Sequence, residues 1–205
     1  MNISIDNESR QYVVQSAAEM NAHWINISRE VLSRNDLIYC VDIDGVSYYD
    51  DYATELLARY EEIQNVVIHT ITKERSFYTT WNDFQDYTNR VVSVVVERIA
   101  PLYGGAVDET GEIVSELTGS IEWISNALTF MAYLGNEIGV GREALDLIDD
   151  TTAQIKPILE LLAGELEWGN LIGFADIIQY EFIPLIEEYY CKSKEVELPS
   201  GGLKN

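Results

Sequence analysis

The sequence predicts an α+β protein, mostly helical overall, in which a small β-α-β-β-α-β layer precedes an antiparallel four-helix bundle. Three observations support this prediction: short runs of strand-like residues early in the chain, an Asp-Gly turn between two of them, and four long apolar stripes with helical spacing later on. The predicted division is a small α+β subdomain over 1–75, a helical bundle over 76–192 and a flexible tail over 193–205.

The predicted layer begins with a strand and a helix. Ile3 and Ile5 alternate with polar neighbours, which is typical of a short strand. Residues 9–33 repeat apolar side chains every three or four positions, which predicts a helix. The run 37–43 (LIYCVDI) is rich in residues that favour strands, so a second strand follows.

Asp44 and Gly45 separate two strand-like runs and predict a hairpin. A two-residue type I′ turn needs positive φ at both central positions, which favours Asp-Gly there. Helical spacing over 50–63 and a strand-like run over 66–72 complete the layer. We expect both helices to pack on one face of the sheet.

Four apolar stripes with helical spacing follow Glu74, and they begin at Phe77, Ile113, Leu145 and Leu171. Pro101 and Gly104-Gly105 are expected to end the first helix. Pro157 predicts a kink or break inside the third helix, and Pro184 interrupts the fourth. Short connections between amphipathic helices predict an antiparallel bundle.

The bundle contains a possible internal repeat. Residues 117–123 read LTGSIEW and residues 162–168 read LAGELEW, which is the same pattern at an offset of 45. One interpretation is two equivalent Trp-bearing surfaces. The other is that both Trp side chains are core wedges, each beside a glycine that permits close helix approach.

The composition excludes several classes of function. The chain has 13 Lys and Arg against 35 Asp and Glu, a net charge of −22, which argues against binding to nucleic acid or anionic lipid. We expect a cytoplasmic protein with no membrane contact, because the N-terminal segment lacks secretory-signal character and no run of about 18 apolar residues occurs.

No cofactor or metal site is expected from the remaining motifs. Cys40 and Cys191 are far apart in the sequence and are interpreted as two reduced thiols, and His69 is expected in a strand without a partner. Asp42 and Asp44 resemble the nucleophile loop of Mg²⁺-dependent phosphotransferases of the haloacid dehalogenase type. The candidate metal-binding pair Asp149-Asp150 lies in a helical pattern, so this alternative lacks its expected context.

Acidic residues are concentrated in the predicted bundle. Residues 107–191 contain 17 acidic and 2 basic side chains, which is either a solvated face or a surface for a basic partner. Tyr and Trp side chains, which combine an apolar ring with a polar group, are enriched at protein interfaces. The candidate binding residues are Trp123, Trp168, Tyr180, Tyr189 and Tyr190.

Three segments carry a family resemblance: VDIDGVSYYDDY (41–52), LTGSIEWISNAL (117–128) and GNLIGFADIIQYEFIPLIEEYY (169–190). In these segments the chain is similar to an uncharacterised family of soluble helical proteins from spore-forming bacteria. The resemblance implies an α/β layer with a helical bundle and brings no catalytic residue to this chain.

These observations lead to one functional hypothesis and two alternatives. The hypothesis is a non-enzymatic cytosolic protein-interaction module whose acidic, Tyr-rich helical face binds another protein or a second copy of itself. The first alternative is a flagellar or secretion export chaperone that shelters amphipathic helices in a groove. The second is the phosphotransferase at Asp42 and Asp44.

Overall fold

A computed structural model describes residues 1–104 and 109–198 of the chain. The chain divides into two compact units, Met1–Ser76 and Phe77–Asn205, which we name the sheet unit and the helical unit. The fold class is α+β and mostly helical, as predicted. No helix among the described residues has the length and apolar character that crossing a bilayer requires.

The sheet unit contains a five-stranded mixed sheet in the order β2-β1-β5-β3-β4. Its strands are β1 (Asn2–Ile5), β2 (Glu8–Gln11), β3 (Asp36–Ile43), β4 (Val46–Tyr48) and β5 (Asn65–Thr72). The β1–β5 pair is parallel and the other neighbours are antiparallel. Two helices, α1 (Ala17–Ser33) and α2 (Tyr52–Ala58), complete the unit.

The core of the sheet unit lies between the helices and one face of the sheet. Because strand side chains alternate between faces, a buried residue at every second position identifies the covered face. The core residues are Ile3, Ile5, Val41, Ile43, Val66 and Ile68 from the strands, with Met20, Ile27, Val31 and Leu56 from the helices. The opposite face carries the alternate positions of each strand.

The first helix begins eight residues later than the periodicity predicts, because Glu8–Gln11 pairs with β1 as a strand. This strand is at the edge of the sheet and its four residues are exposed and polar, so it lacks the apolar alternation that marks a strand. The helix starts after Ser16, whose hydroxyl accepts a hydrogen bond from the backbone N–H of Glu19.

The predicted Asp-Gly hairpin is confirmed. Ile43 pairs with Val46, and Asp44 and Gly45 adopt φ of 48° and 87° between them. The Asp44 carboxylate also accepts hydrogen bonds from the backbone N–H groups of Gln64 and Asn65. The turn is therefore anchored to the start of β5.

The helical unit contains α3 (Lys73–Ile99, whose first residues belong to the sheet unit), a 3₁₀ segment (Ala100–Gly104), α4 (Thr110–Ile138), α5 (Arg142–Glu167), α6 (Leu171–Ile177), a π-helical segment (Ile178–Phe182) and α7 (Ile183–Ser193). Their buried side chains form the core of this unit. Its largest fully buried side chains include Phe77, Phe84, Phe174, Phe182 and Tyr189.

The two prolines have different consequences. Helix α5 continues through Pro157, which is exposed, so water can solvate the carbonyl that loses its N–H partner. Pro184 falls in the first turn of α7, directly after the π-helical segment, and the predicted interruption of the last helix is confirmed there.

Two predictions fall partly on residues that the structure leaves out. Gly105 of the predicted Gly104-Gly105 helix stop and residues 199–205 of the predicted tail lie outside the described residues. Within the described part, α7 ends at Ser193 and residues 196–198 have no regular secondary structure.

Candidate functional site

The two Trp residues of the repeated segments lie in different environments. Trp168 follows the last turn of α5 and is 87% exposed. Trp123 is 40% exposed, and its ring stacks on Phe84 at 5.9 Å and contacts Tyr87 at 4.4 Å, both from α3. The two Trp residues therefore do not form equivalent surfaces.

The three candidate Tyr residues do not form a single face. Tyr180 lies in the π-helical segment and is 65% exposed. Tyr189 is 1% exposed and packs against Trp81 and Phe84, so its ring belongs to the core. Tyr190 is half-buried, with the Lys194 ammonium 3.8 Å from its ring centroid. Tyr189 and Tyr190 are separated by about 100° around a helix, which explains their different surroundings.

Burial changes the acidity of one core phenol. The Tyr189 hydroxyl is buried and accepts or donates no hydrogen bond among the described residues. Burial disfavours the charged phenolate and raises the pKa of Tyr189 well above its ordinary value. The group stays neutral at physiological pH, so it contributes no charge to the predicted acidic face.

The repeated segments line one groove between α4, α5 and α6. The groove has a volume of about 250 Å³ and its lining is mostly apolar. From α4 come Thr118, Ile121 and Glu122, from α5 come Leu159, Leu162, Ala163 and Leu166, and from α6 comes Phe174. Thr118 matches Ala163 and Ile121 matches Leu166 at the repeat offset of 45, so equivalent positions of the two segments face the same groove.

Acidic residues border this groove. Glu122 lines it directly. Glu160 and Glu167 are exposed on α5, three residues before and four residues after Ala163, which are the neighbouring positions on a helix surface. The groove therefore combines an apolar floor with an acidic rim.

The glycines of the repeat are not sites of close helix approach. A Cβ atom built on Gly119 or Gly164 meets no atom within 4 Å. The interpretation that these glycines permit tight packing is therefore wrong. A close approach does occur at Gly135, where a Cβ would lie 2.8 Å from Leu145 Cδ2 and 3.2 Å from Phe77 Cε2.

A second polar cluster lies on the sheet. His69 Nε2 is 2.8 Å from Asp42 Oδ2, and the Ser47 hydroxyl donates a hydrogen bond to Asp42 Oδ1 at 2.5 Å. These hydrogen bonds, that of Ser47 first, lower the pKa of Asp42. The expectation that His69 has no partner is wrong, because pairing of β3 with β5 brings together residues that are 27 positions apart.

Cys40 belongs to the same cluster. One ligand atom from each of Cys40, Asp42 and His69 lies within 4.8 Å of the others. Burial, and secondarily the charge of Asp42, raises the pKa of the Cys40 thiol. A thiol with a raised pKa is a poor nucleophile at neutral pH, so this geometry does not resemble an activated cysteine.

The residues of the phosphotransferase alternative lie on an antiparallel strand and its hairpin turn. Both carboxylate oxygens of Asp42 have hydrogen-bonding neighbours, and the Asp44 carboxylate accepts from two backbone N–H groups at the hairpin. Strand β3 is antiparallel to both of its neighbours. Asp149 and Asp150 lie in α5, as the helical pattern predicts.

The sequence indicated part of the groove but gave no indication of the polar cluster on the sheet. The repeated pattern was a real signal for the groove, because its equivalent positions line it. The positions that line the groove precede Trp123 and Trp168 in their segments. The Cys40, Asp42 and His69 cluster had no local signal, since it depends on the register of β3 and β5, which β4, α2 and their connections separate in the chain.

Fold and sites together define a mostly helical α+β protein with a groove in its helical unit and a polar cluster on its sheet. Residues 79–192 match the family model of a domain of unknown function, DUF8042, and because the match covers more than half of the chain, the chain belongs to this family. The predicted resemblance to a family without an assigned function is thereby confirmed. Searches of the curated proteins and of the solved structures gave no match.

Proposed function

We propose that the helical unit is a non-enzymatic protein-interaction module that binds a basic amphipathic helix of a partner protein in the groove between α4, α5 and α6. One observation carries the proposal: two related segments place equivalent positions, Thr118 with Ala163 and Ile121 with Leu166, along one mostly apolar groove with an acidic rim. An apolar groove with charged borders is the receptor surface of the helix-in-groove mode.

The acidic charge of the helical unit favours a basic ligand. The residues between positions 107 and 191 carry 17 acidic and 2 basic side chains. An incoming helix with Lys or Arg beside its apolar stripe gains from this field, whereas an acidic helix is repelled. A second copy of this chain, with its net charge of −22, is for the same reason a poor ligand.

We also propose a cytoplasmic setting for this module, in which the two cysteines stay reduced. An export chaperone is a narrower version of the same proposal, because its clients also present amphipathic helices. We expect the partner helix to present apolar side chains at spacings of three and four residues to the groove.

The test uses a synthetic fluorescein-labelled peptide of Leu, Lys and Ala with one apolar helical face, titrated with the full chain by fluorescence anisotropy. We expect saturable binding that weakens as salt rises. Ala163→Arg places a long cation in the groove and should weaken binding about tenfold or more, a loss of about 1.4 kcal/mol. A peptide with Glu in place of every Lys should not bind.

Ala153→Arg is the matched control. Ala153 is also an exposed alanine of α5, but it does not line the groove. Both variants add one positive charge, so loss of binding in A163R alone identifies the groove. Equally weakened peptide binding in A163R and A153R would show that the peptide is bound by general charge attraction, and would contradict the proposal.

The oligomeric state of the chain provides a second readout. A concentration-dependent dimer that A163R dissociates, seen by analytical ultracentrifugation, would assign the groove to self-association and overturn the proposed partner.

A further inference from the structure

The pairing of β3 and β5 places a thiol, an imidazole and a carboxylate on one face of the sheet. Cys40 is the direct cross-strand partner of His69 in the antiparallel register. Asp42 is two residues beyond Cys40 on β3, so it points to the same face. This face is opposite to the one that carries the core residues Val41, Ile43 and Ile68.

From this juxtaposition we infer that Cys40, Asp42 and His69 form a three-ligand site for Zn²⁺, with a fourth position for water. Sulfur, nitrogen and oxygen donors of these types are the protein ligands of Zn²⁺, and three of them with one open position are typical of non-structural zinc sites. A thiolate and an imidazole disfavour Mg²⁺ and Ca²⁺, which take oxygen ligands.

The distances fit an ion of this size. Bonds of about 2.0–2.3 Å in a tetrahedral arrangement place neighbouring ligand atoms roughly 3.3–3.8 Å apart. The three ligand atoms already lie within 4.8 Å of one another, and His69 Nε2 is 2.8 Å from Asp42 Oδ2. Small side-chain rotations are therefore sufficient, without a change in strand register.

The surroundings of the ligands support the assignment. The Ser47 hydroxyl, opposite Asp42 on β4, donates to the carboxylate oxygen that does not face His69. Such an outer hydrogen bond fixes the orientation of a carboxylate ligand. Cys40 is 6% exposed, whereas the side chains of Asp42 and His69 are partly exposed, so an ion would bind with its sulfur ligand inside and its water outside.

The site is independent of the proposed groove. All its ligands lie in the sheet unit, outside the residues 79–192 that match the family model. Failure of peptide binding therefore leaves the zinc inference intact, and failure of zinc binding leaves the groove intact.

The test uses the untagged full chain, stripped with a chelator and titrated with Co²⁺ as a spectroscopic substitute for Zn²⁺. We expect one equivalent of Co²⁺ to give a thiolate-to-cobalt charge-transfer band and the intense visible bands of a tetrahedral site. Zn²⁺ should bleach both, because it binds such ligands more tightly than Co²⁺.

Cys40→Ser and Cys191→Ser form a matched pair, since Cys191 is the other free cysteine and is exposed. C40S should lose the charge-transfer band, and C191S should keep it. Because C40S alters a buried position, His69→Gln at a partly exposed position is the second variant. We expect H69Q to weaken Zn²⁺ binding more than 100-fold while the circular dichroism spectrum stays unchanged. Absence of the band in the parent chain, or its retention in C40S, would overturn the inference.

Discussion

Among the described residues, several carboxylates of the sheet unit form ion pairs with arginine, whereas the helical unit has a larger excess of carboxylates over cations and fewer such pairs. Glu30 of the sheet unit, for example, forms ion pairs with both Arg10 and Arg34, at 2.6 Å each. The sheet unit contains 13 acidic and 6 basic residues, and Phe77–Asn205 contains 22 acidic and 7 basic ones, so a smaller share of the carboxylates of the helical unit can have a cation.

This difference separates two kinds of candidate site. A sheet with fixed register positions individual ligand atoms, which a metal ion requires. Long helices that pack through aromatic and aliphatic side chains leave apolar grooves with charged borders, which suit a partner helix. The contrast also implies that substitutions and pH change the stability of the two units in different ways.

The largest effect is expected for Phe84→Ala, which tests whether apolar packing dominates the helical unit. Phe84 is fully buried, with Trp123 stacked on it at 5.9 Å and Tyr189 edge-on at 4.9 Å. Removing a buried Phe ring costs about 3–5 kcal/mol, since it leaves a cavity as well as lost contacts. Urea unfolding followed by circular dichroism measures the change.

Phe130→Ala is the control for this prediction. Phe130 lies on α4 and is 37% exposed, so its removal should cost clearly less than removal of the fully buried Phe84. Similar losses for the two variants would show that the aromatic core around Phe84 is less important for stability than its burial indicates.

Most of the fold was predictable because its signals are local. Helical apolar spacing predicted α3 to α7, and Asp44-Gly45 predicted the hairpin. The edge strand Glu8–Gln11 was missed because all four of its residues are exposed and polar, so its pairing with β1 has no apolar signature. Tertiary pairing, not local preference, determines that element.

The candidate sites were less predictable because they depend on which helix faces and strand registers meet. The offset of 45 identified the segments of the groove, but helical spacing did not show that Thr118 and Ala163 share it. The apposition of Cys40 and His69 depends on long-range strand pairing, with a register shift between Ile38 and Cys40, and a single sequence contains no signal for this.

An effect of intermediate size is expected for the glycines of the repeat. Gly119→Ala and Gly164→Ala should each stabilise the chain by up to about 1 kcal/mol, because glycine inside a helix costs conformational entropy and the added methyl group meets no atom. The measurement is the shift in the urea midpoint.

Gly135→Ala should have the opposite sign. Its Cβ would lie 2.8 Å from Leu145 Cδ2 and next to the buried ring of Phe77, so overpacking should outweigh the helix preference and cost about 1–3 kcal/mol. If G119A and G164A destabilise the chain as G135A does, the repeat glycines face a neighbour and the packing interpretation is restored.

The smallest effect is expected for the charge network of the sheet unit. Hydrogen bonding to Arg10 first, and then to Arg34, lowers the pKa of Glu30 from its ordinary 4.5 to about 2. A lowered pKa means that the folded state binds the proton less tightly than the unfolded state. Glu30 therefore contributes its full stabilisation above about pH 4.5, and this contribution disappears as the pH falls towards 2.

Glu30→Gln should accordingly lower the urea midpoint at neutral pH, but by less than Phe84→Ala or Gly135→Ala. The reason is that partly exposed ion pairs are screened by water and salt. The difference between the parent chain and E30Q should shrink as the pH is lowered in steps to about 3, where much of the carboxylate in the unfolded chain is protonated. A difference that stays constant over this range would mean that Glu30 acts through packing of its side chain, and that the contrast in charge pairing between the two units has no consequence for stability.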